Sequence, residues 1–125
     1  MQNLQLKILD EKFAVCKLAD ASAINLGDEY VFIGKTAHEL SLVCAENSVP
    51  LNHTHCERSW RGMYICGELD FTMIGILAQI SKVLADREIG ILAISTYNTD
   101  YIFVKEERLA DAVDAFEGAG FGFVG

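Results

Sequence analysis

Hydrophobic positions in the second half of the chain change period twice, and each change marks an element. Arg61 to Leu69 alternates loosely, with Met63, Ile65 and Gly67 on one face of a strand. From Met73 the spacing becomes three and four: Met73, Ile76, Leu77, Ile80, Val83 and Leu84 form one apolar stripe of a helix. The charged turn Asp86-Arg87-Glu88 ends it before Gly90. Ile91 to Tyr97 is apolar on both faces, as a central strand is. Asn98-Thr99 turns the chain, and Asp100 to Val104 returns as a second strand. Glu106 and Glu107 open the next helix, where negative charge suits the dipole. Leu109, Ala112, Val113 and Phe116 make its stripe, Gly118 and Gly120 end it, and Phe121 to Val124 is a last short strand.

The order β-α-β-β-α-β is the split βαβ, or ferredoxin-like, arrangement of an α+β fold. It predicts long helices near 73–87 and 107–118. The first half reads almost entirely as strand. Leu4 to Leu9 and Lys12 to Leu18 are separated by a tight Asp10-Glu11 turn, and Tyr30 to Ile33 pairs with Glu39 to Ala45. Ala19 to Asp28 has room for no more than a turn or two of helix. The halves repeat: Val31 to Val43 lies over Leu92 to Val104 without a gap, 61 positions apart. The preceding strands, Phe13 to Leu18 and Met63 to Glu68, are offset by 50, so the first copy lacks about eleven residues, the length of the helix. The division is 1–58, a degenerate helix-poor half, and 59–125, a complete one. Halves of this size bury too little surface alone, so the two are expected to pack, with a ligand at their interface.

Composition narrows the partners. The 125 residues are 51% hydrophobic, ample for a core, and carry a net charge of −8. That charge repels nucleic-acid phosphates and anionic lipid. No apolar run approaches the roughly 18 residues of a membrane span, and Met1 to Lys7 has no secretion signal. Cys16, Cys44 and Cys66 sit in apolar strand-like runs and no two cysteines stand in C-x-x-C spacing, so with Cys56 they read as reduced thiols of a cytoplasmic protein.

Two segments carry candidate chemistry. Glu68 to Leu77 runs from a strand through a polar turn into a helix, with Gly75 in its first or second turn. Glycine there costs about 1 kcal/mol against alanine. Two reasons fit: a ligand carboxylate reaching the free N–H groups of the helix start, or close packing of helix on strand. Ser95 to Tyr101 joins two apolar strands through a polar corner; it serves as a hairpin turn or as a cluster of strand-end hydroxyls with one carboxylate. The strands carrying Leu69 and Ile91 are expected to be neighbours, bringing the segments together. His53-Thr54-His55-Cys56 places two histidines on one face of a strand, but without a second cluster it reads as a polar linker, not a metal site. No orienting residue or oxyanion feature supports Cys56 as a nucleophile. Trp60 reads as a boundary tryptophan closing the core, the alternative being an exposed Trp60-Arg61 stacking pair.

Leu69-Asp70-Phe71, Gly75-Ile76-Leu77, Ile94-Ser95-Thr96-Tyr97 and Thr99-Asp100-Tyr101 with Val104 resemble the ACT domains of the CASTOR type, which are similar to the regulatory domains of aspartate kinases. The resemblance covers about Trp60 to Val104. It implies a regulatory protein, not an enzyme, that needs no cofactor and holds an amino acid between paired ACT units. Gly75 and Ile76 would receive the carboxylate end, with Asp70 and Phe71 beside them; Ser95, Thr96, Tyr97 and Asp100 would face the other end. Asp100 suits a zwitterionic or basic ligand and disfavours a dicarboxylate. The implied partners are a second copy or a regulated enzyme. The alternative is an oligomerisation module with a vestigial site. The first half has Gly34-Lys35-Thr36 and Glu39 at the equivalent corner and lacks the helix, which argues against an equal second site.

Overall fold

The computed structural model describes residues 4–66 and 75–125. Charged side chains at Lys7, Asp10, Lys12 and Lys17 are exposed along strand β1, Gln5–Leu18, while Leu6, Leu9, Phe13, Ala14, Cys16 and Leu18 are buried. The expected Asp10-Glu11 turn is therefore absent: the two acids lie within one uninterrupted strand. Strands β2, Val31–Lys35, and β3, Leu40–Ala45, follow. A short 3-10 turn, Glu46–Ser48, leads to β4, His53–Ile65. Helix α1 is Ile76–Ala85, β5 Leu92–Ser95 and β6 Asp100–Lys105. A second 3-10 turn, Glu106–Arg108, precedes helix α2, Leu109–Gly118, and β7 is Gly122–Val124. No described helix is long and apolar enough to cross a membrane.

The chain forms two compact units, one of Met1–Asp10 with Arg61–Gly125, the other Glu11–Trp60. This division by contact and a division at 58/59 differ mainly in the first ten residues. Strands β1 and β4 each contribute residues to both units.

In the larger unit the strand order is β7-β1-β4-β6-β5. The β7–β1 pair is parallel, Gln5 opposite Gly122, and the β5–β6 pair antiparallel. The ferredoxin-like order β7-β4-β6-β5 is present with one change: the opening residues of β1 stand between β7 and β4 and take the place beside β7 that β4 would hold. Both helices cover one face: Ile76, Ile80 and Leu84 of α1 and Ala112, Ala115 and Phe116 of α2 share a core with Leu6, Met63, Ile65, Ile102 and Val104. Ile91 to Tyr97 was expected in a central strand; instead, β5 pairs with β6 alone among the described residues, and Leu92 and Ile94 are only half-buried. On the other face, Gly62 lets the ring of Phe103 lie against the β4 backbone.

In the smaller unit the order is β2-β3-β1-β4. Ala14, Cys16, Leu18, Leu42 and Cys44 form its core, with Ile24, Val31 and Val49 against it. No helix spans 19–30; side chains pin this loop instead. Asp20 accepts from the Ser22 N–H at 2.9 Å and from Asn52 Nδ2 at 3.1 Å, and Asn25 accepts from the Gly27 N–H at 3.0 Å. The Ser22 hydroxyl and N–H, the chief donors, hold the Asp20 carboxyl below its usual range.

Candidate functional site

The β5–β6 corner is closed by its own backbone and hydroxyls. The Thr96 N–H donates to Thr99 O at 2.8 Å, and Thr96 Oγ1 donates to the same oxygen at 2.9 Å. Thr99 is the buried polar side chain among the described residues, and its hydroxyl donates to Ile65 O at 2.7 Å. Sequence reasoning passed over Thr99 as a turn residue, although it stands inside the polar run. It fastens the corner to the end of β4.

Asp100 lies directly opposite Ser95. Alternation along β6 puts Asp100 on the face of Ile102 and Val104, the face that the two helices cover. Ser95, as its cross-strand partner, shares that face. Tyr97 is 81% exposed at the tip. Of the two threonines, Thr96 has its hydroxyl engaged in the turn, which leaves Ser95 and Asp100 as the corner's helix-side polar groups.

Gly75 precedes α1 rather than lying within its first turns. It has φ +86° in the left-handed region, and no described atom comes within 4 Å of where a Cβ would stand. The backbone conformation favours glycine here; among the described residues, close packing does not demand it. Ile76 points its side chain into the core, so only its N–H faces outward chemistry. No described side chain caps the helix start, and its first turn carries no acid. Asp70, Phe71 and Met73 lie outside the described residues. The expected adjacency of β4 and β5 is replaced by an intervening β6. Even so, Thr99 carries the corner to β4.

The smaller unit repeats the corner. The Thr36 N–H donates to Glu39 O at 3.0 Å, as Thr96 does to Thr99. Lys35 stands opposite Leu40 as Ser95 stands opposite Asp100, and the 3-10 turns Glu46–Ser48 and Glu106–Arg108 follow in step. The structural offset is 60, not 61. Leu40 therefore takes the place of Asp100, and Glu39 that of Thr99. A cavity of about 460 Å³ opens here, lined by Lys17, Asp20, Lys35, Thr36, His38 and Glu39 among others. The sequence pattern marked Lys35, Thr36 and Glu39 as a corner, but not the opposite wall of residues 17–21, which has no periodicity of its own.

His53 Nδ1 lies 2.7 Å from Pro50 O, and His55 Nδ1 lies 3.0 Å from Thr54 Oγ1. Among the described residues no three potential ligands converge as a metal site. Arg61 donates to Leu9 O at 3.1 Å, and Trp60 is half-buried. All four cysteines are unpaired thiols.

A family model described as ACT domain matches residues 55–118, which is more than half of the chain. The chain belongs to the ACT domain family. A second model, described as an N-terminal domain, matches residues 11–52, close to the smaller unit. No curated protein matches the chain significantly. Among solved structures, protein Atu0741 from Agobacterium tumefaciens is 27% identical, with a TM-score of 0.87, over 99% of this chain and 94% of that one. VC0802 from Vibrio cholerae, a protein of unknown function described as a possible transport protein, is 19% identical with a TM-score of 0.74 over 94% and 91%. The ligand-free regulatory subunit of aspartate kinase from Thermus thermophilus is 9% identical with a TM-score of 0.65 over 91% and 95%. The ACT fold is typically regulatory and non-catalytic, and membership supports a regulatory, small-ligand-binding role.

Proposed function

We propose that this ACT protein is a non-catalytic regulator that binds a zwitterionic or basic amino acid beside Gly75 and Asp100. One observation carries the reading: Asp100 and Ser95 lie on the sheet face that the two helices cover, at the corner Thr99 ties to the end of β4. The N–H groups of a helix start suit the ligand's carboxylate. Asp100 suits its ammonium or guanidinium end. Gly75 and Ile76 contribute backbone only; Asp70, Phe71, Thr96 and Tyr97 complete the proposed set. Four unpaired thiols support a reducing, cytoplasmic setting. The regulated partner is a second copy or an enzyme.

Calorimetry of the full chain against the twenty amino acids tests the proposal. A zwitterionic or basic ligand should bind, and Asp100→Ala should weaken a basic one by about 10- to 150-fold, the worth of a charge-assisted hydrogen bond. Silence from all twenty would remove it. A second reading, an oligomerisation module, draws on β5, which pairs only with β6 among the described residues. Sedimentation showing a dimer together with calorimetric silence would favour that reading.

A further inference from the structure

The smaller unit holds a group of thiols that amino-acid binding does not use. Cys16 on β1 and Cys56 on the neighbouring β4 have their sulfurs 3.5 Å apart. A disulfide needs about 2.05 Å, so rotation of the side chains with a small approach would join them. A cavity of about 450 Å³ opens onto this pair, lined also by Lys17, Glu39, Ser41 and His55. Cys56 is half-buried at its wall, whereas Cys16 is only 3% exposed. Cys44, 2% exposed, is hydrogen-bonded to Cys16 and does not line the cavity. Cys66 belongs to the other unit.

We propose that Cys56 and Cys16 are a peroxide-oxidisable dithiol, with Cys56 the thiol attacked first and Cys16 the thiol that resolves it. In the first step the Cys56 sulfur attacks one oxygen of a hydroperoxide. An S–O bond forms and the O–O bond breaks. The thiol proton leaves with the departing oxygen as water or an alcohol, leaving a sulfenic acid. In the second step the Cys16 sulfur attacks that sulfur. The S–O bond breaks, the S–S bond forms, and the Cys16 proton leaves with the hydroxyl as water. The two thiols lose two electrons and the peroxide gains them.

The division of roles follows from access and from charge. An oxidant in the cavity meets Cys56. Burial pushes the Cys16 thiol up to about 12, with the hydrogen bond and charge of Cys56 adding to the effect. Burial likewise pushes Cys44 up to about 11. Neither is an early nucleophile. Once Cys56 is a sulfenic acid, its sulfur is electrophilic and lies beside the Cys16 sulfur, so the first oxidation prepares the second. Cys16 is already in contact.

Peptide mapping of the intact protein after stoichiometric hydrogen peroxide tests this. Cleavage after glutamate separates Cys16 (12–29), Cys44 (40–46) and Cys56 (47–57). We expect a 12–29/47–57 link, free thiols falling from four to two, and recovery of all four with dithiothreitol. In Cys16→Ser, dimedone should label Cys56; Cys66→Ser should leave the link intact. A 12–29/40–46 link, a link between chains, or oxidation of Cys56 no faster than of Cys66 would overturn the proposal. The wild-type map decides even if a variant folds poorly.

Discussion

Thr99 and Ile65 are 34 positions apart, yet the threonine hydroxyl reaches the isoleucine carbonyl at 2.7 Å inside the core. One hydrogen bond thus fixes where the β5–β6 corner sits over the end of β4. Thr99→Val keeps the shape and removes the donor, leaving a buried carbonyl unsatisfied. It should cost about 1–3 kcal/mol in a urea titration. Thr99→Ser should recover most of the loss.

Phe103 sets a second requirement. A Cβ at Gly62 would lie 2.7 Å from its Cε1, and the fully buried ring has nowhere to go. Gly62→Ala should therefore destabilise by about 1–3 kcal/mol, the usual cost of overpacking. Combining it with Phe103→Leu should show a coupling that the two single variants do not predict by addition.

Gly75 separates backbone demand from ligand access. Its φ of +86° makes a β-branched residue costly, so Gly75→Val should lose about 1–3 kcal/mol of stability as well as binding. Asparagine tolerates this conformation better. Gly75→Asn should stay folded by thermal denaturation, and a weakened amino-acid affinity in that variant would then report on access to the helix start.

Burial of Cys16 and Cys44 links stability to alkaline pH. Both folded-state values, about 12 and about 11, lie above the ordinary value of 9.0, so the unfolded chain ionises first. Their contribution is complete below about pH 9 and is lost as pH rises through the folded values. The urea midpoint should fall between pH 9 and 11, and Cys16→Ala/Cys44→Ala should flatten that part of the profile.

Much of this architecture is legible in the sequence because the elements that matter have clean periods. The stripe of Ile76, Ile80 and Leu84 is buried as the three-and-four spacing requires. The failures have local causes. Asp10 and Glu11 look like a turn because nothing nearby says that a strand continues for 14 residues. Leu92 and Ile94 look central because a run apolar on both faces does not distinguish a half-covered strand from a fully buried one. The repeat aligned one residue out because Glu39 and Asp100 match by chemistry, whereas the Thr36–Glu39 and Thr96–Thr99 hydrogen bonds set the register. At the site, the corner and the glycine were readable, but the buried role of Thr99 was not. Its acceptor is a backbone oxygen on another strand, which leaves no mark in sequence.

The pairing of Gln5 to Lys7 with Gly122 to Val124 has a consequence for how the chain comes to be folded. The first strand segment of the larger unit emerges from the ribosome long before its parallel neighbour, 117 positions later. Glu11–Trp60, whose strands are all close in sequence, can condense while synthesis continues. The larger unit closes only when its last strand arrives, after a loop closure that is entropically slow. Until then the apolar side of residues 5–10 waits without β7, so this short stretch is where a nascent chain is most exposed to mispairing.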